Sequence, residues 1–363
     1  MLGRGVDQIL KHSVDPTLSE DYVKDAREYV KLAIAKNGPL PENRPGDYVW
    51  GDALKILKNF NPDIKVANLN TAVTTNHEQW SMKGIHYRMH PKNVEVLQAA
   101  NLDCVVLANA HILDYNYKGL EETIDTLKNA NITTIGAGRI NEKAEKPAIF
   151  QFKHNHRIMI YAVGHASAGI RPSWKATASR PGVNYLSSLH DSPEIETLIA
   201  NIRYKKQKGD IVILSIHWGS NWNFELEPGQ RKFAHRLIDE GLVDLIYGHG
   251  SHHIKGVEIY KEKLIIYGAG SFINDAEGIN IDEKMYGDFR DDVSFMYFPE
   301  LDPNTGNLLN LYLVPMRMKS FQVKLATEEE DLYYLFNTME RECNKFNLGL
   351  EIEDVGQYFK LKF

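Results

Sequence analysis

Short apolar, β-branched runs recur at about 64–68, 104–107, 132–136, 157–164, 210–217, 243–247 and 263–267. Helical periodicity fills several of the intervals, at 91–100, 118–130, 194–207 and 228–241. Near-continuous apolar strands alternating with helices predict an α/β fold on a largely parallel sheet covered on both faces. After about residue 290 the helices drop out. The runs 293–298 and 309–325 then read as strands without crossovers, which predicts antiparallel pairing and a second sheet. A last helix is expected from Thr327-Glu328-Glu329-Glu330, which has capping-box spacing, to about residue 346, followed by a strand-like tail. Towards the N-terminus, 19–36 reads as an amphipathic helix stopped by Asn37-Gly38-Pro39, and a further helix begins near Gly51. The expected organisation is one domain over 1–325, with a helix and tail over 326–363 packed on it.

Composition narrows the function classes. With 363 residues, 43% apolar and 25% charged, the chain has the make-up of an ordinary globular protein with a sizeable core. A formal net charge of −6 argues against a nucleic-acid partner, whose binders carry basic footprints. Cys104 sits inside an apolar run and Cys343 is far from it, so a buried thiol is expected rather than a disulfide or thiolate metal site. No stretch approaches the roughly 20 apolar residues that span a bilayer. The first ten residues contain no apolar signal core, so the chain as written is expected in the cytoplasm.

Polar, ligand-type residues follow the predicted strands. The run 64–68 leads into Asn68-Leu69-Asn70, and 104–107 into Ala108-Asn109-Ala110-His111 with Asp114 beyond. The run 210–217 ends on His217-Trp218-Gly219, 243–247 on Gly248-His249-Gly250-Ser251-His252, and 263–267 on Gly268-Ala269-Gly270-Ser271. Ligands of open α/β sheets bind outside the carboxyl ends of the strands, so these residues should share one pocket. A single strand-end histidine is more often structural. His249 and His252 in a glycine-flanked turn, joined by His217, make a better case for a metal or anion site. Neutral imidazole suits Mn, Fe or Zn alike. Lys83, His86 and Arg88 place cations and aromatics in one loop that could meet an acidic substrate, beside Asn109. His154 and His156 read as an exposed hairpin turn.

Together these motifs make the chain resemble the CapA-type poly-γ-glutamate capsule-synthesis family, whose domain has the calcineurin-like metallophosphoesterase fold. The resemblance spans essentially the whole chain, through Met1–Asp7, Val66–Asn70, Lys83–Arg88, Leu107–His111 with Asp114, Gly136–Gly138, Arg180–Asn184, His217–Gly219 and Gly248–His252. It implies a four-layer α/β/β/α sandwich with mixed sheets, in which a first central strand carrying a metal-binding Asp would precede Met1. That strand is expected to be encoded upstream. Several positions depart from the family pattern. Asn70 stands where a Glu is usual, Ala110 where an Asn is usual, and Ser271 where an acidic or amide residue is common. An amide oxygen bridges two cations less well than a carboxylate, so an intact dinuclear centre is not expected.

The residues that remain are His111, Asp114, His217, His249 and His252. They could hold one divalent ion (Mn, Fe or Zn), or bind a phosphate or carboxylate if protonated. Two readings follow. In the first, the protein binds an acidic polymer or phosphorylated small molecule in a pocket whose catalytic power has decayed. In the second, it is a metal-dependent hydrolase with His217, His249 and His252 as ligands, and with His111 as general acid oriented by Asp114.

Overall fold

The computed structural model describes residues 1–152, 156–279, 289–353 and 358–363. His154 of the expected hairpin lies outside them. The predicted strands divide between two layers. A seven-stranded sheet runs in the order Tyr185–Leu186, Arg157–His165, Ile211–His217, Leu245–His249, Lys263–Ile266 and Val257–Tyr260, with Ala148–Gln151 also on the Arg157–His165 strand. Its interior pairs are parallel, and Val257–Tyr260 and Ala148–Gln151 are antiparallel. The runs near 66, 105 and 134 leave this sheet and form a parallel three-stranded one, Val66–Asn68, Cys104–Val106 and Thr133–Ile135. The antiparallel sheet expected after 290 has five strands, with the tail strands Gly349–Glu353 and Tyr358–Lys362 joined to Leu308–Lys319.

Alternation of side chains along each strand builds the layers. Met159, Tyr161 and Val163 pack outward on Leu198 and Ile202 of the helix Pro193–Lys205 and on Phe233 and Leu237 of the helix Gln230–Asp239. Their neighbours Ile160 and Ala162 turn the other way, onto Cys104, Val106 and Ile135 of the three-stranded sheet. Leu245, Leu264 and Ile266 meet Phe295, Leu311 and Leu313 of the five-stranded sheet in the same manner. On the far face of that second layer, Val105 and Leu107 lie in one core with Leu97, Leu120 and Leu127, while Val314 and Met316 join Val49 and Trp50. The result is the four-layer α/β/β/α sandwich with mixed sheets that the motifs imply. Val66–Asn68 pairs on one side only, with Cys104–Val106, and is an edge strand among the described residues. The Met1 amino group lies inside and donates to the Ile273 carbonyl. Both cysteines are buried free thiols, and burial pushes each up to about 12.

Local expectations fail where tertiary charge pairing intervenes. The helix expected over 19–36 forms only over Arg27–Asn37. Ahead of it Glu20 is drawn inward to Arg4 at 2.7 Å, and Asp25 accepts from the Arg27 backbone N–H at 2.9 Å. The last helix runs Glu329–Asn344 without the expected capping box, because Glu328 stands at its start and pairs with Arg317. The run 309–325 is two strands, Leu308–Lys319 and Gln322–Leu325, reversed at Ser320 (φ 55°) and Phe321 (φ 56°). Both amides of this turn donate to Glu277, which ties the loop after Lys263–Ile266 to the second sheet. Left-handed backbone is strained for serine, whereas asparagine tolerates it. Ser320→Asn is therefore expected to stabilise the protein by about 0.5–1 kcal/mol, read as a rise in thermal midpoint.

Candidate functional site

The histidine pair at the heart of the site follows from register. His217 and His249 end adjacent parallel strands and are direct partners in the ladder. Both occupy odd positions, which along these strands face the second layer, while Leu214, Ile216 and Ile246 face the helices. Two rings on one face of neighbouring strands must meet, and their Nδ1 atoms lie 2.7 Å apart. His249 Nε2 bonds the Ser215 hydroxyl at 2.9 Å. Ser215 shares the face of His217 two residues on, so strand alternation alone could have identified it.

The remaining candidate residues come from loops. His252 (φ 67°) stacks on Trp222 with centroids 5.3 Å apart, and its Nδ1 lies 3.4 Å from Ser271 Oγ. Ser271, the departure from the family's acidic or amide residue, thus contributes a hydroxyl. His111 places Nδ1 2.7 Å from Asp114 Oδ2. Asp114 is fully buried and also accepts from the Tyr87 backbone N–H at 2.7 Å. Tyr87 holds the His111 ring edge-on, with centroids 4.8 Å apart. Ala110 offers no donor, and Asn70 keeps a buried carbonyl oxygen without a protein partner.

The four imidazoles are neutral near pH 7. Burial pushes His249 and His252 down to about 3 and His111 down to about 4. His217 falls well below its ordinary range through burial, and further through His249, His111, His252 and Lys83. Charge on any of these neighbours would act in the same direction as burial. Burial raises the Asp114 carboxyl, but His111 and Lys83 outweigh it and hold Asp114 below the usual carboxylate range. The alternative in which protonated imidazoles bind an anion is thus disfavoured by desolvation.

Of the loop residues expected to meet substrate, only Lys83 reaches the cluster, and it does so from within. Its ammonium bonds Asp114 Oδ1, His111 Nδ1 at 2.9 Å and the Ile85 carbonyl at 3.1 Å. His86 bonds the Trp80 carbonyl at 3.0 Å, and Arg88 bonds the Asn76 carbonyl at 2.7 Å beneath the Tyr115 ring. Asn109 is committed to Asn68, the Leu69 carbonyl and the His111 amide. Through these contacts the three side chains hold the loops around the site. His156 likewise bonds the Gly209 carbonyl at 2.9 Å.

An incoming ion competes with protons for imidazole, so rings kept neutral by burial are ready ligands. Among the described residues, no group of three or more His, Cys, Asp or Glu side chains stands close enough to hold an ion. What these strand ends offer a ligand are the Asn70 oxygen, which has no protein partner, and the His217–His249 pair, whose nitrogens now bond each other and Ser215. They suit one borderline ion. They do not suit two, which need bridging carboxylates.

The family model of the bacterial capsule synthesis protein PGA_cap matches residues 1–276. A probable polyglutamine synthesis accessory protein of Mycobacterium tuberculosis is 40% identical over 348 residues, covering 96% of this chain and 90% of that one. The PGA biosynthesis protein CapA of Bacillus subtilis is 29% identical over 282 residues, covering 75% of this chain and 67% of its own. A solved phosphatase structure from Mycoplasma pneumoniae aligns at 14% identity and a TM-score of 0.44, over 73% of this chain and 86% of that one. The motifs at the strand ends and the family match over most of the sequence agree: the chain belongs to the bacterial capsule synthesis protein family PGA_cap.

Proposed function

We propose that this protein is an accessory protein in the synthesis of a capsule-type acidic polymer of the polyglutamate class, binding an acidic or phosphorylated ligand in its histidine pocket. The observation that carries the reading is the set of neutral imidazoles His111, His217, His249 and His252, of which His217 and His249 are buried with their Nδ1 atoms 2.7 Å apart, together with the unpartnered Asn70 oxygen. A pocket rich in lone pairs and poor in net charge attracts a cation more than a bare anion. An acidic ligand therefore enters best together with one divalent ion (Mn, Fe or Zn), held by His217 and His249. When bound, that ion supplies the positive charge that draws in phosphate or carboxylate oxygens. His111 then offers its Nε2 edge to the ligand, oriented by Asp114. The relatives' names, which refer to polyglutamine synthesis and capsule biosynthesis, support the polymer class. The net charge of −6 supports a partner other than nucleic acid.

Titration calorimetry with a γ-linked glutamate oligomer and with inorganic phosphate, each with and without Mn²⁺, tests the reading. Binding is expected to need the ion and to weaken at least about tenfold in His249→Ala, the loss of roughly 1.4 kcal/mol or more. If neither probe binds the ion-loaded protein, the reading fails.

A second reading, a metal-dependent hydrolase, is favoured by the buried His111–Asp114 contact, the arrangement of a general acid and its orienting carboxylate. Turnover of an aryl phosphate by Mn²⁺-loaded protein, lost in His249→Ala, would select it over simple binding.

A further inference from the structure

An acidic polymer of the polyglutamate class carries a carboxylate on every residue, and one ion in the histidine pocket can receive only the nearest. The chain's net charge is −6, so the other carboxylates are repelled unless a local positive surface meets them. The segment 171–180 supplies such a surface. It opens on Arg171, makes a 3₁₀ turn over Pro172–Trp174 and closes at Arg180, whose carbonyl accepts from the Thr177 amide at 3.0 Å. Trp174 is buried and meets Trp80 edge-on, with centroids 5.5 Å apart, and Trp80 meets Tyr117 in the same way at 5.4 Å.

These rings adjoin the site. The Trp80 amide donates to the Asp114 carbonyl at 2.8 Å, and Lys83, which bonds His111, lies 5.8 Å from the Trp174 centroid. Arg180 lies 5.9 Å from the Tyr117 centroid, and Arg171 donates to the carbonyl of Met82, next to Lys83. Both guanidiniums are half-buried. Among the described residues neither forms an ion pair, and the hydrogen bonds they donate go to carbonyls: Arg171 to Met82, and Arg180 to Lys175 at 3.3 Å. Arg180 Nε is buried with no acceptor, a state that an arriving carboxylate oxygen would relieve. Nearby cations are already matched. Arg139 pairs with Glu121 and with Asp125 at 2.7 Å, and Lys175 with Glu194 at 2.7 Å. A planar guanidinium takes a carboxylate through two parallel N–H···O bonds, so two unpaired ones favour a polycarboxylate over a single anion.

We propose that Arg171 and Arg180 form a second, carboxylate-binding subsite beside the histidine pocket, holding further residues of an acidic polymer while one carboxylate occupies the pocket. The assignment rests on the proposed reading of the ligand as such a polymer, but it uses none of the histidines. Linking the two contacts on one chain raises affinity for the chain without any new contact to its monomer. The arginines should therefore matter for an oligomer and little for a single residue.

Titration calorimetry of the full-length, Mn²⁺-loaded protein with a γ-linked glutamate oligomer and with single glutamate tests the assignment. The oligomer is expected to bind at least about tenfold more tightly than the monomer. Replacing both arginines, Arg171→Gln with Arg180→Gln, should erase that advantage. Arg171→Lys with Arg180→Lys keeps the charge without the two-pronged geometry and should retain part of it. The weaker oligomer binding left in His249→Ala should fall again when the arginines are replaced. An oligomer advantage that survives the double glutamine variant, or that the wild-type protein lacks, overturns the inference. Should the double variant fail to fold, Arg171→Gln alone decides: a loss of at least about threefold for the oligomer supports the subsite, and an unchanged affinity sinks it. Arginine-dependent oligomer binding that needs neither Mn²⁺ nor His249 would leave the subsite standing while the pocket reading fails. Ion-dependent binding of the oligomer with no effect of the arginines would do the reverse.

Discussion

Asp275→Ala is expected to destabilise the protein by roughly 3–5 kcal/mol, the scale for stranding one member of a buried ion pair. Asp275 grips Arg4 with both oxygens, at 2.7 and 3.0 Å, and accepts from the Gly5 amide at 3.0 Å. Arg4 is 6% exposed and sits between the Tyr29 and Tyr87 rings, 4.1 and 4.3 Å from their centroids. Its backbone is held at φ 48°, a conformation non-glycine residues rarely adopt. Glu20 is the other carboxylate paired with it, at 2.7 Å. Removing Asp275 therefore leaves a buried guanidinium half-compensated, an amide without an acceptor and a strained residue without its anchor. Asp275→Asn keeps an acceptor for the Gly5 amide and should cost less. Urea unfolding of the three proteins measures the series. A loss within about 1 kcal/mol for the alanine variant would mean that water reaches Arg4 and that the network is not closed.

That network also bears on the site. Tyr87 packs on Arg4 with its ring, abuts His111 edge-on and bonds Asp114 through its backbone. None of this was legible in the sequence, because the contacts join residues 4, 20, 87, 111 and 275 across the whole chain, and periodicity records only which face a residue takes. The same limit explains the helix expected from residue 19. Its amphipathic pattern is real, but Glu20 gains more from Arg4 than from a first helical turn. Face assignment was the strong signal. His217 and His249 were readable as strand-end residues, and their contact follows once the strands are known to be neighbours. Which sheet a strand joins was not readable, so the runs near 66, 105 and 134 looked like members of a single sheet. Lys83 was read as a loop cation because nothing in Lys83–Arg88 says that the loop folds back onto Asp114. The departures at Asn70, Ala110 and Ser271 were legible only against the family pattern. The structure adds that Asn70 keeps a free lone pair while Ala110 keeps nothing.

The largest pH effect should come from the same histidines. Each is held neutral in the fold, with His249 and His252 at about 3 and His111 at about 4, against about 6.5 in an unfolded chain. His217 moves in the same direction. Because the folded pKa is the lower one, the unfolded chain binds more protons between roughly pH 3 and 6.5. The stability these rings contribute is complete above about pH 6.5 and is lost as the pH falls below it. One unit down, at about pH 5.5, each ring has cost on the order of 1 kcal/mol, so the cluster together removes several. Asp7 and Asp291, which burial raises to about 6, and Glu277, which burial also raises, oppose this, since the fold then holds protons the unfolded chain lacks. Three carboxyls offset only part of the effect of four imidazoles, and a domain stable by about 5–15 kcal/mol has little margin for the remainder. In the presence of a chelator, the urea midpoint is expected to fall steeply from pH 7 to 5.5. His249→Gln, which replaces one ring with a group that does not titrate, should flatten that fall. A midpoint that stays level over this range would mean that the imidazoles are solvated, and the neutral, lone-pair-rich pocket on which ion and ligand binding depend would not exist.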